Sequence, residues 1–403
     1  MGGKPSSVRV VGPLAEYTRG FREELEHQGY RSNAAADQLR LMAHVSRWLA
    51  AHKLEVGALD ERRMQQFLKA RRAEGYVLWL SPKALGPLVT YLRGIGLAPL
   101  PPLRPPTTPA EVLLESYRDY LVSERGLARA TVTAYTHTAG LFLSWWADEG
   151  ELRLDRLEAK TIIDFVLVET KDRRVGSAKD VVCGTRALLR YLFASGEIEV
   201  QLAAAVPKVA GWRLSGLPTY LSHEEVDRLL ASCDRRSTFG RRDFAVLVLL
   251  ARMGLRAGEV TALELGDIDW RAGEILVRGK GHRQERLPLP VEAGEALVGW
   301  LRRGRPRCDC PQVFTRVRAP HRRLTTSAVS AIVAAACGRA GLPVVYAHRL
   351  RHSAATEMLR AGADLTEVGQ VLRHRSLLTT AIYAKVDRIA LDALAQPWPG
   401  RAS

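Results

Sequence analysis

Six side chains in the C-terminal half of the chain stand out by type and spacing. They are Arg256 in Leu255-Arg256-Ala257-Gly258-Glu259, Lys280 in Gly279-Lys280-Gly281, His348 and Arg351 in His348-Arg349-Leu350-Arg351-His352, then His374, with Tyr383 nine residues beyond it. Together they hold a candidate for each part of a metal-free phosphodiester cleavage. Non-bridging oxygens gain charge in such a transition state, so fixed cations must face them, and an arginine offers a planar fork that stays protonated. A nucleophile must attack in line, and a proton donor must meet the departing oxygen. Each residue alone also has a plain structural account. Tyr383 fits an amphipathic core position, Arg256 a surface pair with Glu259, and Lys280 a turn, while His352 packs within its helix and His282 is solvated. The joint occurrence in one segment is what argues for chemistry.

The elements that must position these groups can be read around them. Ser222 with Glu225 three residues later forms a capping box that opens a helix over 221–232. An apolar helix over 244–253 ends at Gly254, and Arg256 starts the next one. The alternation in Glu274–Arg278, the turn at 279–281 and a return strand over 286–289 predict a hairpin with Lys280 at its tip. His348 and Arg351 are spaced i, i+3 and share a helix face. Further helices are expected near 291–302, 326–340, 348–361, 364–373 and 377–384. The whole chain is therefore read as mainly α, with a small antiparallel sheet making its last segment α+β.

A Pro-dense stretch at 98–109 cannot hold a helix and reads as a semi-rigid spacer, and residues 204–218, around Val206-Pro207-Lys208 and Gly216-Leu217-Pro218, read as a second one. They divide the chain into an N-terminal helical domain (1–105), a second helical domain (106–203), a linker (204–217) and the α+β domain (218–403). The first two resemble each other. Leu54, Leu59 and Phe67 recur as Leu152, Leu157 and Phe165, each 98 residues on, and Leu88, Tyr91, Leu92 and Gly96 recur as Leu188, Tyr191, Leu192 and Gly196. Several positions in one register point to duplication.

The 403 residues carry 59 Lys and Arg against 43 Asp and Glu, a net charge of +16, which favours a polyanionic partner, nucleic acid before an anionic membrane. Nothing in the sequence reads as a membrane span or an export signal, and five scattered cysteines suit reduced thiols in a cytosolic protein. Cys308, Cys310 and His321 supply too few ligands for structural zinc, so they read as a loop with two thiols.

In four ordered pieces the sequence resembles the tyrosine recombinase (phage integrase) family, over roughly residues 110–390. The pieces are Gly-Leu-Arg-Ala-Gly-Glu at 254–259, Gly-Lys-Gly-His-Arg-Gln-Glu-Arg at 279–286, His-Arg-Leu-Arg-His at 348–352, and Leu-Arg-His-Arg-Ser-Leu-Leu-Thr-Thr-Ala-Ile-Tyr at 372–383. By that resemblance Arg256 and Arg351 clamp the scissile phosphate and Lys280 protonates the 5′ leaving oxygen. His348 assists proton transfer at the tyrosine, His374 bonds a phosphate oxygen, and Tyr383 attacks to leave a 3′-phosphotyrosyl bond. The resemblance implies double-stranded DNA as substrate and no metal or cofactor. It also implies four protomers on paired sites, alone or with related recombinases, in a nucleoid-associated cytoplasmic protein serving a mobile element. The second helical domain and the α+β domain then clamp the duplex, and the Arg-rich stretches 302–305 and 316–323 contact phosphates. A tail containing Ile389, Leu391 and Leu394 docks on a neighbouring protomer, and the first helical domain adds a further DNA clamp or an assembly surface. Rival readings are a type IB topoisomerase-like relaxase and a non-catalytic DNA-binding accessory of the same fold. One departure from the family pattern stands out: Arg373 precedes His374 where the family usually has Gly, which either adds a phosphate contact or crowds the pocket.

Overall fold

The structure is a computed structural model and describes residues 5–100, 105–147, 151–209, 220–279, 283–373 and 380–386. It is mostly helical, with one three-stranded antiparallel sheet. The described residues before 101 and after 217 pack into one compact unit, and those between form a second.

The first unit opens with a bundle of α1 (Thr18–His27), α2 (Ser32–Ala51), α3 (Glu61–Ala73) and α4 (Pro82–Gly94). Local chemistry starts these helices: the Asp60 carboxylate accepts from the Arg63 backbone N–H at 2.7 Å, and Pro82 takes the first position of α4, where no N–H is needed. Their apolar faces close over Phe21, Leu39, Val45, Leu49, Phe67 and Leu88.

The second unit holds α5 (Pro109–Ser123), α6 (Arg129–Trp146), α7 (Ala159–Thr170) and α8 (Val175–Ala194). A capping box between Thr108 and Glu111 starts α5. Its core centres on Tyr117, Phe142, Phe165, Leu188 and Leu192. In both bundles a short 3-10 turn precedes the third helix, and the residue after the last helix's final turn, Gly96 or Gly196, has φ +75. Adding a Cβ at either meets nothing within 4 Å, so backbone conformation alone asks for glycine there.

The rest of the first unit begins with α9 (His223–Ala231), α10 (Thr238–Ala251) and α11 (Ala257–Ala262). Ser222 and Glu225 form the expected capping box on α9. The sheet follows as β1 (Ile268–Asp269), β2 (Glu274–Arg278) and β3 (Gln284–Pro288), in the order β1-β2-β3, with Ile275 opposite Leu287 and Val277 opposite Glu285. Ile275 and Val277 point into the core, which fixes the register because a slip by one residue would expose them. Then come α12 (Val291–Arg303), α13 (Thr326–Ala340), α14 (Ala347–Arg360) and α15 (Leu365–Val371). Ala381–Val386 is a 3-10 helix rather than the end of an α-helix over 377–384. α10, buried along Ala245–Ala251, is the central packing element, and Trp300 of α12 anchors beside it by donating from its indole N–H to the Val313 carbonyl at 2.9 Å.

Candidate active site

α14 carries the centre of the site. His348, Arg351, His352, Ala355 and Leu359 fall at three- and four-residue intervals, so they line adjoining strips of one helix. Arg351 is buried, at 1% exposure, and its guanidinium donates to the Gly254 carbonyl at 2.5 Å and to the Leu372 carbonyl. A Cβ on Gly254 (φ +61) would lie 2.5 Å from Leu372 Cδ2, so the close approach that offers the carbonyl to Arg351 needs glycine.

Arg256, the N-cap of α11, donates from Nη1 to Glu259 Oε1 at 2.7 Å and from its backbone N–H to Oε2 at 2.8 Å. The surface-pair account of Arg256 is thus correct as a contact, but its partner is a buried carboxylate. Arg373 donates to the same Oε2 at 2.8 Å, and both side chains are about 5% exposed or less. The Arg373 side chain therefore turns inward onto Glu259, from a backbone with φ +56. Burial pushes the Glu259 carboxyl up, but the Arg373 charge and the Arg256 hydrogen bonds outweigh it and hold the pKa below the usual carboxylate range.

Arg256 and Arg373 both bond the Glu259 carboxylate, while the Arg351 guanidinium, held on backbone carbonyls, lies close enough to feel its charge. Burial and the neighbouring Arg256 charge bring the Arg351 pKa down to about 10, which still leaves it charged at neutral pH. His348 is an exposed residue, yet the protein around its ring lowers its pKa, and Arg351 and Arg256 lower it further.

Tyr383 lies on the other strip of α14, 1% exposed, in an apolar cluster with Ala355, Leu359, Val368 and Leu372. Its Oη is 2.7 Å from His352 Nδ1, and the His352 ring meets the His348 ring edge-on at 4.4 Å between centroids. Burial raises the phenol pKa to about 12 against the pull of Arg351 and Arg256, and burial with His348, Arg351 and Arg349 lowers His352 to about 4. The imidazole is therefore neutral, and when it is protonated on Nε2 the phenol donates to Nδ1. His352 is not merely packed within its own helix, as the sequence had suggested. Its place four residues after His348 was the available signal.

Of the six candidates, the structure brings Arg256, His348, Arg351 and Tyr383 into one electrostatic neighbourhood. Lys280 and His374, with His282, lie outside the described residues, as does the tail with Ile389, Leu391 and Leu394. Among the described residues no cluster of three or more His, Cys, Asp or Glu could hold a metal ion, and no helix is long and apolar enough to cross a membrane. A cavity of about 780 Å³ between α10 and α12, lined by Phe244, Trp270, Arg241 and Glu292, contains none of these groups. A site for a polymer backbone can lie open at the surface, outside any such cavity.

The profile of the phage integrase family matches residues 219–388, and that of the phage integrase N-terminal SAM-like domain matches 114–195. The chain belongs to the phage integrase family of tyrosine recombinases. It is thereby a tyrosine-type DNA strand transferase. Among its relatives is the putative integrase/recombinase y4rA of Sinorhizobium fredii, 39% identical over 400 residues, which span 97% of this chain and 96% of the relative. Another is the tyrosine recombinase XerD of Mycobacterium tuberculosis, 34% identical over 306 residues, 71% of this chain and 96% of the relative. The recombinase shares its fold with the XerH site-specific recombinase bound to palindromic difH substrate in a post-cleavage complex. The TM-score is 0.60 at 21% identity, over 74% of this chain and 99% of that one.

Proposed function

We propose that this recombinase cuts and rejoins duplex DNA at specific sites through a 3′-phosphotyrosyl bond to Tyr383. The observation that carries the reading is the Arg351 guanidinium, fixed on the Gly254 and Leu372 carbonyls beside the cluster that holds the Tyr383 phenol, with the Arg256 charge acting on the same phenol. Cations held at fixed positions before substrate arrives are what a phosphoryl transition state requires, since they need no reorganisation at the moment of reaction. Arg256 and Arg351 cradle the scissile phosphate; two donors of Arg351 are engaged by carbonyls, which orients the rest of its fork. Glu259 and Arg373 position Arg256. Tyr383 Oη bonds to phosphorus as the bond to the 5′ oxygen breaks, and that oxygen takes a proton from Lys280. The phenol proton passes to His352 Nδ1, on which the hydroxyl already rests, with His348 assisting the transfer, and His374 bonds a phosphate oxygen. The reverse attack by a 5′ hydroxyl restores the phosphodiester, so rejoining draws on the energy kept in the covalent link.

The reading extends to four protomers on paired sites, in the service of a mobile element, with residues 106–203 as a DNA-binding domain and 1–105 as its duplicate. The shared element order, the 98-residue offset and the paired left-handed glycines support duplication. A lambda integrase of the same fold, at a TM-score of 0.52, was solved as a tetramer bound to a Holliday junction, which supports the assembly. The test is a nicked suicide duplex carrying the element's end. Wild type should give a protein–DNA adduct that survives denaturing electrophoresis, and Tyr383→Phe none. An adduct that persists in Tyr383→Phe moves the nucleophile elsewhere.

A further inference from the structure

The first bundle meets the later part of its unit at a seam with residues 315–323. Helix α1 ends at His27, and terminal carbonyls of a helix need donors from outside it. The carbonyl of Gln28 accepts from the backbone N–H of His321 at 3.2 Å. Gly29 follows with φ +80, and its backbone runs so close to the His321 imidazole that a Cβ there would lie 2.0 Å from Cδ2. His27 and Asp309 add an exposed ion pair at 3.5 Å, worth little by itself. Tyr30 is half-buried at the same seam: burial raises its pKa, and the nearby charges of Arg316 and Arg322 pull it down.

The segment gripped in this way is a small hairpin. Thr315 and Arg323 form an antiparallel bridge, and the Arg316 N–H donates to the Arg322 carbonyl at 2.8 Å. His321 Nδ1 is 3.1 Å from the Arg316 carbonyl, so one imidazole ties the hairpin together and rests on the bundle. Arg316, Arg318, Arg322 and Arg323 are all exposed, and among the described residues none of the four is in an ion pair. Four unneutralised guanidiniums repel one another, and a free loop carrying them loses entropy when it binds an anion. A loop already held in shape loses less.

We propose that the first bundle is a brace which holds the 315–323 hairpin in the form that meets a nucleic-acid phosphate backbone. The bundle then adds to DNA affinity through the arginines of another segment. The inference rests on the reading of this chain as a DNA recombinase, with duplex DNA as the polyanion.

The test uses the full chain and a short fluorescent duplex of arbitrary sequence, with Kd measured across a salt series. Replacing Arg316 and Arg322 together by Ala should weaken binding and make the salt slope shallower by about two, one for each lost phosphate contact. Gly29→Ala, which drives a methyl into His321, should reproduce much of that change, and added to the arginine pair it should weaken binding by less than it does alone, since only Arg318 and Arg323 remain to be misplaced. Because Gly29→Ala also strains its own backbone, Tyr30→Ala serves as a second variant with the same expected loss. Seam variants that leave the slope unchanged, or whose losses add in full to those of the arginine pair, overturn the brace. So does an arginine pair without effect. Tyr383-dependent adduct formation, followed on the same proteins, separates this failure from failure of the recombinase reading itself.

Discussion

On one strip of α14, Arg351 is tied to two backbone carbonyls while Arg256 and Arg373 grip Glu259; on the other, Tyr383 sits among Ala355, Leu359 and Leu372 with its hydroxyl on His352. The first strip is charged and over-determined, with each cation held by geometry that exists before any anion arrives. The second is apolar, and its surroundings keep the phenol protonated, with a pKa of about 12. Arg351 and Arg256 favour the phenolate but are outweighed by burial. In the reaction proposed above, the cations are thus in place before substrate arrives, whereas a phenol kept protonated by burial changes surroundings before it attacks.

Breaking the charged strip should have the largest effect on stability. Glu259→Ala leaves the buried Arg373 cation without its carboxylate, and removing one partner of a buried pair costs about 3–5 kcal/mol. Urea unfolding should show a loss of that size, with strand cleavage lost as well. Arg373→Gly is subtler. It restores the residue usual in the family and relieves a left-handed backbone, worth roughly 1 kcal/mol, but removes a partner of buried Glu259. The second effect is larger, so a net loss of about 2–4 kcal/mol is expected. A glycine that stabilised the protein would show that the ion pair contributes nothing.

The tyrosine strip should reveal itself through pH. His352 has its pKa lowered from 6.5 to about 4 in the fold by burial and by His348, Arg351 and Arg349, with Tyr383 as its hydrogen-bond partner. Between those two values the unfolded chain binds a proton that the folded one refuses, so stability falls as pH falls from about 6.5 towards 4. His348 is displaced in the same direction. The melting temperature of wild type should therefore drop more steeply across this window than that of His352→Gln, which keeps a hydrogen-bonding group but cannot titrate. Parallel curves would remove His352 from the account.

What was legible in the sequence is what short-range chemistry decides. The Ser222–Glu225 box, the β2 alternation, the break at Gly254 and the i, i+3 pair His348 and Arg351 are local patterns, and the structure contains each of them. β1 is two residues long, too short to show a period, and it escaped notice. The inward turn of Arg373 depends on Glu259, 114 residues away, and the bond between His352 and Tyr383 spans 31 residues. The first leaves no mark on sequence spacing, and of the second only the place of His352 four residues after His348 shows. The seam between Gln28 and His321 is more distant still, and nothing near Gly29 announces it.

The smallest expected effect separates packing from chemistry most cleanly. Tyr383→Phe keeps the ring in its cluster and removes only the hydroxyl on His352. A hydrogen bond of this kind contributes about 1 kcal/mol net, so the variant should unfold at nearly the wild-type urea concentration. It should nonetheless form no covalent adduct at all. Glu259→Ala, by contrast, is expected to lose both stability and cleavage, because the group that fixes the cations also holds the fold together around them. If Tyr383→Phe were as unstable as Glu259→Ala, the phenol hydroxyl would be a structural pillar, and the contrast between a charged strip that carries stability and a hydroxyl that does not would collapse.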